Sequence, residues 1–173
     1  MSMIQDNDFP QAYESSFIKT LDGHQIYYEI VGNPDGIPVI FLHGGPGSGC
    51  QKSQRDLFNL DKVKVIFVDQ RGAGKSLPKR SLKNNTTFNI ISDLELIRKK
   101  LDIDKWLVVG GSWGSTLALA YAQKHKETVT GIIIRSIFLG TKDEIHWAFS
   151  KSARLFRPEL WEAWTNIAKN NEY

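Results

Sequence analysis

One serine, Ser112, stands among glycines in the stretch GGSWG at 110–114. The apolar residues WLVV precede this stretch, and the alanine- and leucine-rich run STLALAYA follows it. In the pattern Gly-x-Ser-x-Gly, a sharp turn between a strand and a helix lifts the serine hydroxyl above the sheet, because the glycines let the two backbones pack closely. We therefore interpret Ser112 as a nucleophile, in preference to a member of a plain glycine–serine loop.

A second glycine-rich stretch, HGGPG at 43–47, follows the apolar run PVIFL. Glycines allow backbone N–H groups to approach a ligand closely. In a hydrolase of this design, one such N–H and the N–H after the nucleophile hold the tetrahedral oxyanion. The sequence thus predicts an oxyanion hole formed by Gly45 and Trp113. His43 is a candidate base, but we favour a role in which its side chain orients the loop through hydrogen bonds.

A third stretch, DQRGAGKS at 69–76, suggests a phosphate-binding loop. That loop requires G-x-x-x-x-G-K-[ST], and Asp69 occupies the first position, where a carboxylate would repel phosphate. The loop after PVIFL has the required glycine spacing, but Cys50 stands where the lysine is needed. We therefore disfavour a nucleotide hydrolase and expect Asp69 and Arg71 to form a polar network beneath the loops.

The remaining histidine candidates are weaker bases for Ser112. His125 lies thirteen positions further along the chain, and the rise of a helix would put it ~20 Å away. His146 lies on a later helix that could fold over the site, although an ordinary helix position is the simpler interpretation. No group of His, Cys, Asp and Glu has metal-ligand spacing, so we expect neither a metal nor a cofactor.

Composition excludes several classes of protein. The chain has 173 residues and a net charge of +3, and its lysines and arginines are scattered, so we expect no nucleic-acid partner. No apolar run approaches the ~20 residues of a membrane-spanning helix. The N-terminus lacks the features of a signal peptide, and the single cysteine fits a reducing compartment. These observations predict a cytoplasmic protein.

The pattern of elements predicts an α/β fold. An Asp-Gly turn at 22–23 between two β-rich runs indicates an N-terminal hairpin. Short apolar runs without alternation are typical of parallel strands buried on both faces. These runs occupy 38–42, 63–68, 106–109 and 131–134. Helical patterns separate them at 88–101 and 116–124, which predicts right-handed crossovers and helices on both faces of a mostly parallel sheet.

The sequence changes character after Gly140. Two amphipathic, aromatic-rich helices are predicted, over 143–156 and 158–168, and Pro158 suits the first turn of the second. We therefore predict a core domain over residues 1–140 and the start of a helical cap domain over residues 141–173.

The motifs HGGPG, DQRGAGKS and GGSWGSTLALAYA, in this order, resemble those of the proline iminopeptidases. The resemblance extends from about residue 12 to the end of the chain. It implies the α/β-hydrolase fold and a serine aminopeptidase that releases N-terminal proline from peptides. Ser112 would attack the first peptide carbonyl, and Arg71 would be structural. Phe138 and Phe149 lie where family members place aromatic residues that hold the proline ring.

The resemblance covers only the N-terminal half of the family's pattern. Family members carry the aspartate and histidine of the triad after the cap, whereas this chain ends inside the expected cap. We therefore expect the chain to lack both triad partners and to be inactive alone, with a complementing C-terminal chain as one partner. Two alternatives stay open: another α/β-hydrolase such as an esterase, and a non-catalytic remnant.

Overall fold

The computed structural model describes residues 9–170. It divides into two compact units, one ending at Ile137 and the other beginning at Phe138. Residues 9–137 of the first unit form one six-stranded sheet, two α-helices and two short 3-10 helices. Its main elements are β1 (Glu14–Lys19), β2 (Gln25–Gly32), β3 (Ile37–Leu42), β4 (Val63–Val68), α1 (Thr87–Lys100), β5 (Trp106–Ser112), α2 (Trp113–Lys124) and β6 (Val129–Ile137). The 3-10 helices are Lys52–Leu57 and Lys126–Thr128.

The strands are arranged in the order β1-β2-β4-β3-β5-β6. Strands β1 and β2 form the predicted hairpin, in which Lys19 pairs with Gln25 and Gly23 adopts φ 93° in the turn. Strand β2 is also antiparallel to β4, whereas β4, β3, β5 and β6 are mutually parallel. The predicted α/β class with a mostly parallel sheet is therefore confirmed.

Alternate residues of the central strands enter two separate hydrophobic clusters. Ile40 and Leu42 pack with residues of α1 and α2, whereas Val39 and Phe41 pack with the segment around Phe58. Successive residues of a strand face opposite sides of the sheet, so both faces are covered. The two α-helices cover one face. The 3-10 helix Lys52–Leu57 and its flanking loop lie on the other.

Both α-helices begin close to their predicted positions. Helix α1 starts at Thr87 because the hydroxyl of Thr86 accepts a hydrogen bond from the backbone N–H of Asn89, as expected for an N-cap residue. Helix α2 starts at Trp113, three residues earlier than the pattern indicated, because it follows β5 without a connecting residue. This direct junction determines the geometry of the candidate site.

The second unit is helical. Its elements are α3 (Lys142–His146), a π-helical turn (Trp147–Lys151), α4 (Ser152–Phe156) and α5 (Pro158–Asn170). The sequence predicted one helix over 143–156, whereas a π-helical turn occupies the middle of this stretch. The compact units separate at Ile137, and the core domain over residues 1–140 and the cap domain over residues 141–173 stay predictions. Every helix within residues 9–170 is too short or too polar to cross a bilayer.

Candidate active site

Ser112 occupies a strained turn between β5 and α2. Its backbone has φ 56° and ψ −126°, and a residue with a side chain adopts such a conformation at a cost of about 1–3 kcal/mol. A serine that caps a helix has an extended backbone and accepts a hydrogen bond from the first turn. The side chain of Ser112 makes no such bond, and the residue is exposed. The turn therefore presents the hydroxyl to solvent instead of using it as a cap.

The glycines that flank Ser112 are sterically required. A β-carbon on Gly110 would overlap the carbonyl oxygen of Gly114, and one on Gly114 would overlap the carbonyl oxygen of Leu42. Strand β5, the first turn of α2 and the end of β3 are thus in backbone contact at this point. The spacing of the motif follows from this close packing, as the glycine pattern predicts.

The glycine loop after β3 lies directly against the serine. A β-carbon on Gly44 would lie 3.2 Å from the β-carbon of Ser112 and 3.8 Å from its Oγ. A cavity of about 140 Å³ opens beside the hydroxyl. The cavity is lined by Phe41, Leu42, Gly44, Gln54, Gly111, Ser112, Arg135 and Ser136. A small group bound there would contact both the hydroxyl and the glycine loop.

The predicted oxyanion residues come from the two segments that meet at this point. Trp113 is the first residue of α2, where backbone N–H groups lack helical partners and favour negative charge. Gly45 directly follows Gly44 and has φ 114°, which favours glycine. Ser112, Trp113 and the loop containing Gly45 are therefore brought together, while their catalytic roles stay predictions.

The two predicted substrate-binding aromatics belong to the second unit. The rings of Phe138 and Phe149 lie edge to face, with centroids 6.5 Å apart and planes at 86°. Edge-to-face packing is a favourable arrangement for two aromatic rings. Their proposed contact with a proline ring stays a prediction.

Both ring nitrogens of His43 make hydrogen bonds within the loops. The backbone N–H of Gln70 donates to Nε2 (3.0 Å), so Nε2 carries no proton. Nδ1 therefore carries the proton and donates to the carbonyl oxygen of Gly44 (2.9 Å). Burial lowers the pKa of His43, which keeps the ring neutral. These bonds fit the loop-orienting role and leave neither nitrogen available as a base for Ser112.

The carboxylate of Asp69 joins the two glycine loops. It accepts hydrogen bonds from the backbone N–H groups of Cys50 (2.7 Å) and Lys75 (2.8 Å). A β-carbon on Gly74 would overlap this carboxylate. Gly74 and Lys75, from the loop that ends in Gly-Lys-Ser, thus pack against a carboxylate of the protein itself, which would repel a phosphate. This geometry argues against the nucleotide hydrolase.

Arg71 makes a separate buried network, so the predicted joint network of Asp69 and Arg71 is wrong. The guanidinium binds Asp93 through Nε (2.6 Å) and Nη2 (2.8 Å), and it binds Asp22 through Nη1 (2.6 Å). The pKa of Arg71 is raised above its ordinary value chiefly by the hydrogen bonds to Asp93. Burial raises the pKa of Asp93, an effect that Arg71 partly offsets. The network ties helix α1 to the β1–β2 turn.

Gln70, which was not among the site residues predicted from the sequence, connects all three motifs. The residue is buried, with 3% of its surface exposed. Besides its backbone bond to His43, its side-chain Nε2 donates to the carbonyl oxygen of His43 (2.8 Å). Its Oε1 accepts a hydrogen bond from the indole N–H of Trp113 (2.9 Å). One signal in the sequence pointed to Gln70. It lies in DQRG, directly after a predicted strand, as the other two motifs do.

The other histidines of the first unit have their own partners. His24 Nε2 bonds to the carbonyl oxygen of Lys83 (2.9 Å). His125 ends α2 and packs against the ring of Tyr121, with centroids 5.3 Å apart. His146 belongs to the second unit. In the described part of the chain, no three His, Cys, Asp or Glu residues come together as metal ligands.

Two curated relatives of the chain are both named proline iminopeptidase. The chain is 47% identical over 162 residues to a proline iminopeptidase of Arabidopsis thaliana, covering 94% of this chain and 43% of the relative. It is 46% identical over 166 residues to a proline iminopeptidase of Neisseria gonorrhoeae, covering 94% and 53%. The chain thus spans about half the length of the curated relatives it matches.

A solved structure and a family model give the fold of the chain. A crystal structure of a proline iminopeptidase-related protein from Thermus thermophilus superposes with a TM-score of 0.62 and 26% identity, over 70% of this chain and 43% of the other. Residues 37–161 match the family model of the alpha/beta hydrolase fold. The matched residues include Gly44, Gln70 and Ser112 and make up most of the chain. The chain therefore belongs to the alpha/beta hydrolase fold family.

Proposed function

We propose that this chain contributes the nucleophile of a serine aminopeptidase that releases N-terminal proline from peptides. The observation that carries the proposal is the backbone of Ser112, which is strained, exposed and not used as a helix cap. The relatives named proline iminopeptidase, at 46–47% identity, support the choice of substrate.

In the proposed reaction, Ser112 Oγ attacks the carbonyl carbon of the N-terminal prolyl residue and gives its proton to a base. The N–H groups of Gly45 and Trp113 stabilise the resulting oxyanion. The tetrahedral intermediate collapses, the C–N bond breaks and the leaving amine takes up the proton. Water then hydrolyses the prolyl ester on Ser112, which releases free proline and restores the hydroxyl.

The base has to come from outside the loops around Ser112, because both nitrogens of His43 are engaged. We propose that a complementing polypeptide, corresponding to the half of the relatives that this chain does not match, supplies a histidine and its carboxylate partner. Strand β6 is an edge of the described sheet. Its exposed side chains include Ile133 (55%) and Ile137 (64%). An apolar edge strand of this kind is suited to pairing with a further strand.

Phe138 and Phe149 are proposed to pack against the pyrrolidine ring of the substrate. Their edge-to-face pair offers aromatic surface to a small apolar ring.

We further propose a cytoplasmic location, supported by the unpaired thiol of Cys50, the only cysteine of the chain.

The proposal is tested by hydrolysis of L-proline 4-nitroanilide. The 173-residue chain is assayed alone and after refolding with a polypeptide that carries the second half of the Neisseria gonorrhoeae relative. We expect turnover only from the mixture. Ser112→Ala should abolish this turnover, whereas Ser53→Ala, which removes an exposed hydroxyl elsewhere in the first unit, should not.

Two other outcomes of this assay would favour the alternative functions. Faster hydrolysis of 4-nitrophenyl butyrate than of the prolyl anilide would favour the esterase. A folded mixture that hydrolyses neither substrate would contradict the proposal and favour the non-catalytic remnant.

A further inference from the structure

Gln70 uses both the nitrogen and the oxygen of its carboxamide to connect the glycine loop to the turn at the nucleophile. Its Nε2 donates to the carbonyl oxygen of His43, and its Oε1 accepts from the indole N–H of Trp113. The first partner can only accept and the second can only donate, so the orientation of the amide is chemically determined. One planar group therefore joins the residue before Gly44 to the residue after Ser112.

Glutamine suits this position better than its closest substitutes. Glutamate has the same length but lacks the donor that the carbonyl oxygen of His43 requires. Asparagine is one methylene shorter, and methionine has the length but makes neither bond. Because Gln70 is buried, a lost partner would not be replaced readily by bulk water.

The two segments joined by Gln70 are those that would supply the oxyanion donors. The distance between these two donors has to match one oxygen atom, and donors act when they lie 2.7–3.1 Å from that oxygen. Asp69, the preceding residue, independently fixes the outer part of the glycine loop through Cys50. The side chain of Gln70 links the glycine loop to the side chain of Trp113 directly, by two hydrogen bonds.

We propose that Gln70 is a positioning residue, which holds the His43–Gly45 loop at the correct distance from Trp113 for both backbone N–H groups to bind one oxyanion. This inference rests on the proposed peptidase function. It assigns to the glutamine of DQRG a role in turnover that acts through other residues and requires no contact with substrate.

The test replaces Gln70 with methionine and Trp113 with phenylalanine. Trp113→Phe breaks the same link from the other end and keeps the backbone N–H of residue 113. Gln123→Met, on the exposed side of α2, is the matched control. Prolyl anilide turnover is measured in the refolded mixture, and the indole N–H of Trp113 is followed by NMR in the 173-residue chain.

We expect Gln70→Met to lower kcat about 10- to 100-fold, as small displacements of catalytic groups do, with KM changed less than about threefold. The double variant should lose little more than either single variant, because both break one link. The indole proton should move upfield and exchange faster with water in Gln70→Met. Gln123→Met should match the wild type.

The possible failures are distinguishable. If the wild-type mixture is inactive, the proposed function fails and the positioning role fails with it. If the wild type is active and Gln70→Met keeps its kcat, or loses only thermal stability, the positioning role alone is overturned. Should Gln70→Met not fold, Trp113→Phe decides the question by the same split between kcat and KM.

Discussion

Gly44 and Ser112 are in such close contact that a side chain on the glycine would be crowded. A β-carbon on Gly44 would lie 3.2 Å from the β-carbon of Ser112 and 3.0 Å from the carbonyl oxygen of Gly111. The backbone of the glycine loop therefore forms the part of the wall that lies directly against Ser112. Main-chain N–H groups are well suited to such a wall, because they are rigid and already oriented.

Gly44→Ala should impair turnover more than folding. The added methyl group pushes the loop away from Ser112 by a few tenths of an ångström, and we expect kcat to fall about 10- to 100-fold. Gly23→Ala is the control for turnover: its β-carbon would meet nothing within 4 Å, and the strain that φ 93° imposes on an alanine lies in the β1–β2 turn. Kinetics of the refolded mixture and urea unfolding of the chain give the two readouts. Equal turnover by Gly44→Ala and Gly23→Ala would contradict the close contact.

Ser112→Gly should stabilise the chain while removing the hydroxyl. Glycine adopts φ 56° without the strain that a β-carbon imposes, so we expect a gain of about 1 kcal/mol in the free energy of unfolding. Ser112→Ala keeps the strain and should show no comparable gain. Urea unfolding of the three proteins measures the difference. Equal stability of the glycine and alanine variants would show that the turn is unstrained.

Arg71→Met should destabilise the first unit strongly. The variant leaves the carboxylate of Asp93, which is 2% exposed, buried without its partner, at a cost of about 3–5 kcal/mol. Arg71→Met combined with Asp93→Leu removes both charges and should recover much of the loss. Urea unfolding measures both variants. A double variant as unstable as Arg71→Met would argue against a buried pair between these residues.

Lowering the pH should destabilise the chain partly through His43. Burial holds its folded-state pKa below the unfolded value of about 6.5. Below that pH the unfolded chain takes up a proton that the folded chain does not. We therefore expect the free energy of unfolding to fall between pH 7.5 and 5.5 through this group. The free energy of unfolding of His43→Gln, measured by urea unfolding at both pH values, should fall less. The same fall in both proteins would contradict a neutral buried imidazole.

The strands, the hairpin and the strand–turn–helix junction at Ser112 could be predicted because each has a local signal. Buried parallel strands appear as unbroken apolar runs, and the glycines around Ser112 mark a close approach of backbones. The π-helical turn at Trp147–Lys151 has no such signal, since it differs from an α-helix only in hydrogen-bond register.

The role of Gln70 could not be predicted, because its partners are distant in sequence. His43 and Trp113 become neighbours of Gln70 only when β3, β4 and β5 lie side by side. The same reason explains the error over Arg71. Its partners Asp22 and Asp93 lie far along the chain, whereas Asp69 is close in sequence and binds elsewhere.

The most direct test of the nucleophile is the capture of an acylated enzyme. The refolded mixture is combined with L-proline 4-nitrophenyl ester, quenched in acid within milliseconds to seconds, digested and analysed by mass spectrometry. We predict a mass increase of one prolyl group on the peptide that contains Ser112, absent from Ser112→Ala. Turnover of the ester with no adduct on that peptide, or with full activity in Ser112→Ala, would contradict the assignment of Ser112 as the nucleophile.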